Sequence, residues 1–85
     1  MKLSDLELSI LRAAARAPGG RMIHFDSNLD GDPFVVADGQ HIDLQELETI
    51  PRLIRLGLFE REFGRSVVLT DLGRATAGRT GASHG

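Results

Sequence analysis

Residues 26–31 have the types and spacing of the first half of a calcium-binding loop. The stretch DSNLDGDPF sets oxygen-bearing side chains at alternate positions and follows the third with a glycine: Asp26, Asn28, Asp30 and Gly31. An EF-hand loop opens in this way, but its twelfth position requires a bidentate glutamate, and here that position is Ala37. Asn, Asp and Gly also favour tight turns because they tolerate left-handed backbone. We therefore predict a hairpin turn and no metal site.

The other reactive side chains form no catalytic pattern. The chain has no cysteine, which excludes disulfides, thiolate zinc sites and a cysteine nucleophile. The spacing of His24 and His41 matches no HxH or HExxH motif, so we interpret both as ordinary strand or loop histidines. Ser4, Ser9 and Ser27 have local roles in caps or turns. We therefore expect a protein that is not an enzyme and that binds neither a cofactor nor a metal ion.

Two arginines and an aromatic ring surround a glycine in the stretch EREFGRS. Arg61 and Arg65 can straddle phosphates or enter a minor groove, and Phe63 can stack or act as a wedge. The alternative is that Phe63 folds back onto the core and that the arginines pair with Glu60 and Glu62. The first interpretation predicts a nucleic-acid contact, and the second predicts only a structural role.

Composition favours one small globular domain. The chain has 85 residues, of which 41% are hydrophobic and 26% are charged. No apolar run is long enough for a membrane span and MKLSDLEL does not resemble a signal peptide, so we expect a cytoplasmic protein without a membrane partner.

The net charge of −2 is unevenly distributed: residues 1–50 hold four basic and nine acidic side chains, and residues 51–85 hold six arginines and three acids. A basic second half weakly favours an anionic partner.

Local signals predict a helix followed by a β-hairpin in the first half. Ser4 can cap a helix over residues 5–17, with Glu7 completing a capping box. The residues PGG then end that helix. Two β-branched and aromatic runs, RMIHF (21–25) and PFVVA (33–37), predict the two strands of the hairpin.

A second helix is predicted over residues 44–56. Asp43 has the position of its N-cap and Glu46 that of its capping-box partner. Because Pro51 cannot donate a backbone hydrogen bond, we expect a kink or a break near it. Gly57 suits the left-handed position after the helix end, with Leu58 folding back in a Schellman motif.

The last part of the chain predicts a second hairpin and a closing helix. The runs LFERE (58–62) and SVVLT (66–70) flank a turn in which Gly64 takes a positive φ. Thr70 can cap a short helix over residues 71–77. Residues 78–85 are rich in Gly, Ser and Thr, so we assign the domain to residues 1–77 and predict a flexible tail over residues 78–85.

Residues 53–75, LIRLGLFEREFGRSVVLTDLGRA, resemble the C-terminal half of the winged-helix domains of bacterial transcription regulators. The resemblance rests on a helix that ends in LxxLGL, a two-stranded wing, and LTxxGR at the start of a closing helix. It implies a recognition helix in the major groove and a wing that grips adjacent phosphates or the minor groove. The chain departs from the family where it supplies a hairpin instead of the usual middle helix.

These observations predict a small α+β, winged-helix-like domain with the order α-β-β-α-β-β-α. The leading hypothesis is a nonenzymatic DNA-binding or transcription-regulatory module that acts as a dimer on double-stranded DNA. Its predicted DNA-binding residues are Arg52, Arg55, Arg61, Phe63, Arg65 and Arg74. For the helix arginines the alternative is a solvated face, with Glu48 paired to Arg52. The competing function is a protein-interaction module that does not bind DNA, which the acidic start of the second helix and the missing middle helix favour.

Overall fold

The computed structural model describes residues 2–26 and 31–82, which form three helices and one five-stranded sheet. The order is α1 (Asp5–Arg16), a 3₁₀ turn (Pro18–Gly20), β1 (Arg21–Phe25), β2 (Phe34–Ala37), β3 (Gln40–Asp43), α2 (Thr49–Arg55), β4 (Phe59–Arg61), β5 (Ser66–Leu69) and α3 (Asp71–Ala82). All strand pairs are antiparallel, in the order β3-β2-β1-β5-β4. The α+β class is confirmed. The predicted element order lacks β3.

The start of α1 is the predicted capping box. The Ser4 hydroxyl accepts a hydrogen bond from the Glu7 N–H at 3.1 Å, and the Glu7 carboxylate accepts one from the Ser4 N–H at 2.8 Å. The helix ends at Arg16, and the following 3₁₀ turn places Gly19 at φ 67°. A proline and two glycines in that turn cannot continue a stable helix, so the chain turns directly into β1.

The two faces of the sheet have different environments, because successive strand residues point to opposite sides. One face carries Met22, Val35 and Val67, which are buried in a core shared with Ile10 and Leu11 of α1. Helix α1 contacts β1, β2 and β5, and α3 contacts α1 and β5. The opposite face, which we call the open face, carries Arg21, Ile23, Phe25, Phe34, Val36, Ser66 and Val68.

The predicted turn after β2 leads into a third strand instead of a helix. Asp38 and Gly39 have φ values of 53° and 73°. Two successive positive φ values are typical of the tight turns that join antiparallel strands, so the chain folds back and β3 pairs with β2. Asp43 lies in the ladder opposite Phe34 and is therefore not a helix cap, contrary to the prediction.

Helix α2 is shorter than predicted and begins at Thr49. Gln45 has a positive φ of 67°, which is incompatible with a helix through residues 44–48. Pro51 is the third residue of α2, where a missing N–H removes no intrahelical hydrogen bond. The proline thus lies in the first turn of the helix, and the predicted helix start upstream of it is wrong.

The end of α2 is the predicted Schellman motif. Gly57 has a φ of 80°, the left-handed conformation that glycine adopts without steric cost. The Leu58 N–H donates to the Leu53 carbonyl at 3.1 Å, and the Gly57 N–H donates to the Ile54 carbonyl at 3.0 Å. These are the 6→1 and 5→2 hydrogen bonds of the motif.

Helix α3 starts against that same turn, in a contact that we call the Gly57–Gly73 junction. The Thr70 hydroxyl accepts the Gly73 N–H at 3.0 Å, as predicted for a cap, and donates to the Gly57 carbonyl at 2.5 Å. The Thr70 N–H donates to the Leu58 carbonyl at 3.0 Å. A Cβ atom on Gly73 would overlap that carbonyl, so only glycine allows this approach of α3.

Helix α3 continues to Ala82, past the predicted end at residue 77. Residues 83–85 of the predicted tail lie outside the described residues. Within residues 2–26 and 31–82, no helix combines the length and the apolar character needed to cross a bilayer.

The Gly57–Gly73 junction predicts opposite effects for alanine at two glycines of α3. Gly73→Ala should lower the free energy of unfolding by about 1–3 kcal/mol, because the new methyl group overlaps the Leu58 carbonyl and lies 2.7 Å from Leu69 Cδ1. Gly78→Ala, in open space on the same helix, should raise it by up to about 1 kcal/mol through helix propensity. Urea unfolding of both variants measures the difference. Equal effects at the two positions would contradict the close approach.

Candidate functional site

The predicted DNA-binding residues lie in three places. Arg52 and Arg55 are on α2, Arg61, Phe63 and Arg65 surround the tip of the β4–β5 hairpin, and Arg74 is on α3. The structure therefore brings together the three tip residues and separates them from the others.

Arg52 is a structural residue of the α1–α2 contact. Its guanidinium forms an ion pair with Glu7, whose side chain is only 8% exposed. Burial of that carboxyl opposes its ionisation, but the Ser4 N–H and the Arg52 charge outweigh burial and hold the pKa of Glu7 below its ordinary value. The alternative in which Glu48 pairs with Arg52 is wrong, since Glu48 pairs with Arg55. The guanidinium of Arg52 is committed to a buried carboxylate of the capping box.

The other two arginines outside the tip also have local contacts. Arg55 pairs with Glu48 at 3.4 Å, and both side chains are exposed. Exposed pairs of this kind contribute little to stability. Arg74 packs over Gly20, since a Cβ at that glycine would lie 2.8 Å from the guanidinium. Gly20 precedes the start of β1, whereas the tip adjoins the end of β1, roughly 13 Å away for a five-residue strand.

Phe63 projects into solvent at the hairpin tip. It is 99% exposed, so the alternative in which its ring folds back onto the core is wrong. Gly64 has the predicted positive φ, 69°. The Glu62 N–H donates to the Ser66 carbonyl at 2.8 Å across the base of the tip. An apolar ring of this size held wholly in water by an ordered turn is the most unusual feature of the surface.

Arg65, the residue after Gly64, attaches the tip to β1. The His24 N–H donates to the Arg65 carbonyl at 2.9 Å. The Arg65 guanidinium lies over the Phe25 ring, with its Cζ 5.7 Å from the ring centroid. A cation–π contact at an exposed site contributes about 0.5–1 kcal/mol. Backbone and side chain of Arg65 thus both restrict the movement of the tip relative to the sheet.

Phe25 itself belongs to a column of stacked side chains on the open face, which we call the aromatic column. Its ring stacks on Phe34 at 4.7 Å between centroids and 10° between planes. Phe34 contacts the His41 ring at 4.3 Å. The ring faces are occupied by one another, so the column is not a free platform for stacking nucleobases. The aromatic column was not predicted from the sequence, although Phe25 and Phe34 lie on either side of the loop of the predicted first hairpin.

The tip keeps its positive charge, because a neighbouring acid is engaged elsewhere. Glu62 pairs with Arg21 at 2.8 Å across the open face, so the alternative in which Glu62 neutralises the tip arginines is wrong. Among residues 2–26 and 31–82, neither Arg61 nor Arg65 forms an ion pair. The candidate site is therefore an exposed phenylalanine between two arginines that lack carboxylate partners within the described residues.

A buried histidine lies beneath the tip. His24 is 6% exposed, and its Nε2 is buried without a hydrogen-bond partner in the described part of the chain. Burial lowers the pKa of His24, the Arg61 charge lowers it further, and Asp26 acts in the opposite direction. The imidazole is thus held neutral on the core side of β1.

The calcium interpretation of the first hairpin loop gains no ligands from the described residues. Asp26 and Gly31 lie at the two ends of the connection between β1 and β2, which are paired as predicted. Asn28 and Asp30 lie outside the described residues. Within residues 2–26 and 31–82, no three His, Cys, Asp or Glu side chains converge as a metal site would require.

The two arginines of α2 should differ in their effect on stability. Arg52→Ala leaves the buried Glu7 carboxylate without its cation and should lower the free energy of unfolding by about 1–3 kcal/mol. Arg55→Ala removes an exposed contact and should change it by less than about 0.5 kcal/mol. Urea unfolding tests both variants. A smaller loss for Arg52→Ala than for Arg55→Ala would contradict the structural role of Arg52.

His24 should make the fold sensitive to mild acid. Its pKa is lower in the folded chain than in the unfolded chain, where it is about 6.5, so protonation favours unfolding. Its contribution is complete above roughly pH 6.5 and is lost as the pH falls from there toward the folded pKa. His24→Met should remove this part of the pH dependence, and His41→Gln should retain it. Urea unfolding between roughly pH 7.5 and 5 measures the slope; an unchanged slope in His24→Met would contradict the assignment.

Comparison with known proteins finds no family model, no curated protein and no solved structure that matches this chain.

Proposed function

We propose that this protein is a nonenzymatic protein-interaction module that inserts Phe63 into an apolar pocket of a partner protein. The observation that carries this proposal is the complete exposure of an aromatic side chain on an ordered turn. Aromatic side chains and arginine dominate the binding energy of protein interfaces, usually from the centre of the contact. Phe63 is the residue of this surface best suited to that role.

The attachment of the tip to β1 supports the proposal, because a segment that must become ordered on binding loses conformational entropy, and this loss weakens its affinity for the partner. The hydrogen bond from His24 to Arg65 and the contact of Arg65 with Phe25 hold the turn before a partner arrives. A binding segment that is ordered in the free protein loses less conformational entropy on association. The tip therefore resembles a preformed anchor more than a loop that folds on binding.

The charges beside Phe63 indicate which kind of partner surface would be complementary to the tip. Arg61 and Arg65 flank Phe63 in the sequence, and neither forms an ion pair with a described residue. A complementary pocket has an apolar floor for the ring and carboxylates on its rim. We therefore expect a partner segment in which acidic side chains surround apolar ones.

A wing contact with double-stranded DNA is the second candidate. The same two arginines favour it, together with the pairing of β1 and β5, which sets RMIHF and the predicted wing in one sheet. The α2 arginines count against base reading, because Arg52 and Arg55 are paired with Glu7 and Glu48. DNA binding by this chain would then depend on phosphate contacts of the tip alone.

Selection from a displayed peptide library tests the leading proposal. Peptides retained by the wild-type chain should contain acidic and apolar residues, and Phe63→Ala should weaken their binding by about 2 kcal/mol, roughly 30-fold. Leu47→Ala is the matched control, because Leu47 is also an exposed apolar residue, at 60%, but lies away from the tip. Peptides that bind Phe63→Ala as tightly as the wild type would contradict the role of Phe63.

Duplex DNA provides the competing measurement. Fluorescence anisotropy over a salt series reports phosphate contacts, because neutralised phosphates make affinity fall steeply with salt. The DNA-binding proposal would replace the protein-interaction proposal if two results were found together. Binding to duplex DNA would have to be salt-sensitive, lost in Arg61→Ala and retained in Phe63→Ala, and the wild-type chain would have to select no peptides from the library.

A further inference from the structure

Strand β3 is an edge of the sheet, and one side of its backbone has no neighbouring strand in the described part of the chain. The strand order places β2 next to β3 on one side only. Three of its four residues, Gln40, His41 and Asp43, are exposed. The edge of a sheet presents a row of unpaired N–H and C=O groups to which another extended segment can bind. Strand β3 therefore offers a template for one more strand.

The register identifies which residues of β3 point outward. The Leu44 N–H donates to the Pro33 carbonyl at 2.9 Å, so Leu44 is bonded toward the β2 side. In an antiparallel ladder, residues bonded to the neighbouring strand alternate with residues whose backbone groups point away from it. Ile42 therefore belongs with Leu44, and the N–H and C=O groups of His41 and Asp43 point away from β2. Within the described part of the chain, no backbone group pairs with them on that outer side.

A groove lies between this edge and the polar side of α1. Its volume is about 570 Å³, and it is lined by three residues of the helix and three consecutive residues of β3: Ser9, Arg12, Arg16, Gln40, His41 and Ile42. Gln40 and Ile42 pair with Ala37 and Val35, which are buried in the core, so the side chains of Gln40 and Ile42 lie on the helix side of the sheet. Every second side chain of a strand added to β3 would lie on that same side, toward α1.

The two arginines make this groove positive. Arg12 forms no ion pair with a described residue, and its buried Nε has no hydrogen-bond partner among them. Arg16 donates to the Gln40 side chain at 3.1 Å and pairs with Asp38 at 3.4 Å, and the Arg16 side chain stays 54% exposed. A guanidinium binds a carboxylate more strongly than a neutral acceptor. The groove is therefore complementary to an acidic occupant.

Helix α1 runs along β3 in the opposite direction. Its last residue, Arg16, contacts Gln40 at the start of β3. Near the start of the helix, Glu7 lines a second cleft together with Gln45, which follows the end of β3. Arg12 thus lies beside β3 between these two points.

The spacing of the two arginines matches that of alternate residues in a strand. Arg12 and Arg16 are about one helical turn apart, roughly 6 Å along α1. Alternate residues of an extended segment point to the same side and are roughly 6.6 Å apart. An acidic side chain opposite Gln40 would therefore lie near Arg16, and a second one opposite Ile42 would lie near Arg12.

We propose that β3 binds an extended acidic segment of another protein, which adds to the five-stranded sheet as a further strand antiparallel to β3. The outward N–H and C=O groups of His41 and Asp43 make the main-chain hydrogen bonds, and Arg12 and Arg16 select carboxylates at alternate positions of the segment. All strand pairs of the sheet are antiparallel, the pairing that is slightly more stable per residue.

The same charges disfavour a second copy of this chain as the occupant. If β3 paired with β3 of a second copy about a two-fold axis, the two α1 helices would lie on the same side of the joined sheet. Arg12 and Arg16 would then face the same arginines of the second copy, and like charges across a contact oppose association. The edge lies at the opposite end of the strand order from β4, which leads to the Phe63 tip, so this site is independent of the function proposed above.

A synthetic peptide tests the backbone contact without altering the protein. The probe has about eight residues, with glutamate at every second position and threonine or valine between them. In antiparallel pairing with the glutamates on the helix side, the intervening residues point their N–H groups toward β3 and the glutamates point theirs away. Measured by fluorescence anisotropy, N-methylation of the intervening residues should abolish binding, whereas N-methylation of the glutamates should retain it.

Amide hydrogen exchange locates the peptide on the protein. The His41 and Asp43 amides point away from β2 and should exchange readily in the free chain. With the unmodified peptide at roughly ten times its dissociation constant, exchange of both amides should slow by roughly tenfold.

A charge reversal tests the choice of an acidic segment. Arg12→Glu should weaken binding of the glutamate peptide by roughly tenfold or more and should bind a peptide with lysine in place of each glutamate. Arg55→Glu makes the same change of charge on α2 and should bind the glutamate peptide as the wild type does. Phe63→Ala should also bind it normally, which separates this site from the tip.

Three results would each overturn the proposal. They are no binding of the unmodified peptide up to roughly 1 mM, equal binding of the two N-methylated peptides, and an unchanged affinity of Arg12→Glu for the glutamate peptide.

Discussion

Helix α3 lies so close to the turn that ends α2 that a Cβ atom on Gly73 would overlap the Leu58 carbonyl. The Thr70 side chain and backbone both bind carbonyls of that turn, at Gly57 and Leu58, and Gly73 lets the helix touch it. The Thr70 N–H, the Thr70 hydroxyl and the Gly73 N–H are all hydrogen-bonded in this contact, which leaves the local geometry little freedom. Strands β4 and β5 run between the two halves of this contact, so the direction of the hairpin follows from it. The LxxLGL and LTxxG patterns thus encode one structural unit.

The acidic first half and the basic second half of the sequence are brought together in the fold, where some of their charges form ion pairs and others stay unpaired. Acids of the first half bind arginines that would otherwise face an anionic partner, as Glu7 does with Arg52. At the hairpin tip Glu62 pairs with Arg21, and Arg61 and Arg65, which flank Phe63 in the sequence, form no ion pair with a described residue. The proposed anchor is therefore an aromatic side chain with an arginine on either side of it in the sequence, and within the described residues the two arginines of α2 are paired with acids. Such a surface is better suited to an acidic protein segment than to the length of a DNA groove.

The sequence predicts those features that depend on neighbouring residues and fails where distant ones decide. The turn at Gly57 and the cap at Thr70 are readable because their hydrogen bonds join residues a few positions apart. The sequence from Asp43 imitates a capping box, but pairing with β2 makes it a strand, since tertiary contacts override local preference. Glu7 and Arg52 are 45 residues apart, so no local pattern could assign one to the other. For the same reason the aromatic column, built from three strands and the tip, could not be predicted.

Native-state amide hydrogen exchange measures most directly whether the Gly57–Gly73 junction holds the hairpin in place. The Thr70 amide binds the Leu58 carbonyl inside the junction, and the His24 amide binds the Arg65 carbonyl at the tip. If the junction and the sheet form one cooperative unit, both amides should exchange only through global unfolding, with the same free energy of opening. Exchange of the Thr70 amide through a smaller opening, while the His24 amide stays protected, would show that the sheet and hairpin keep their arrangement without the junction and would contradict this view of the fold.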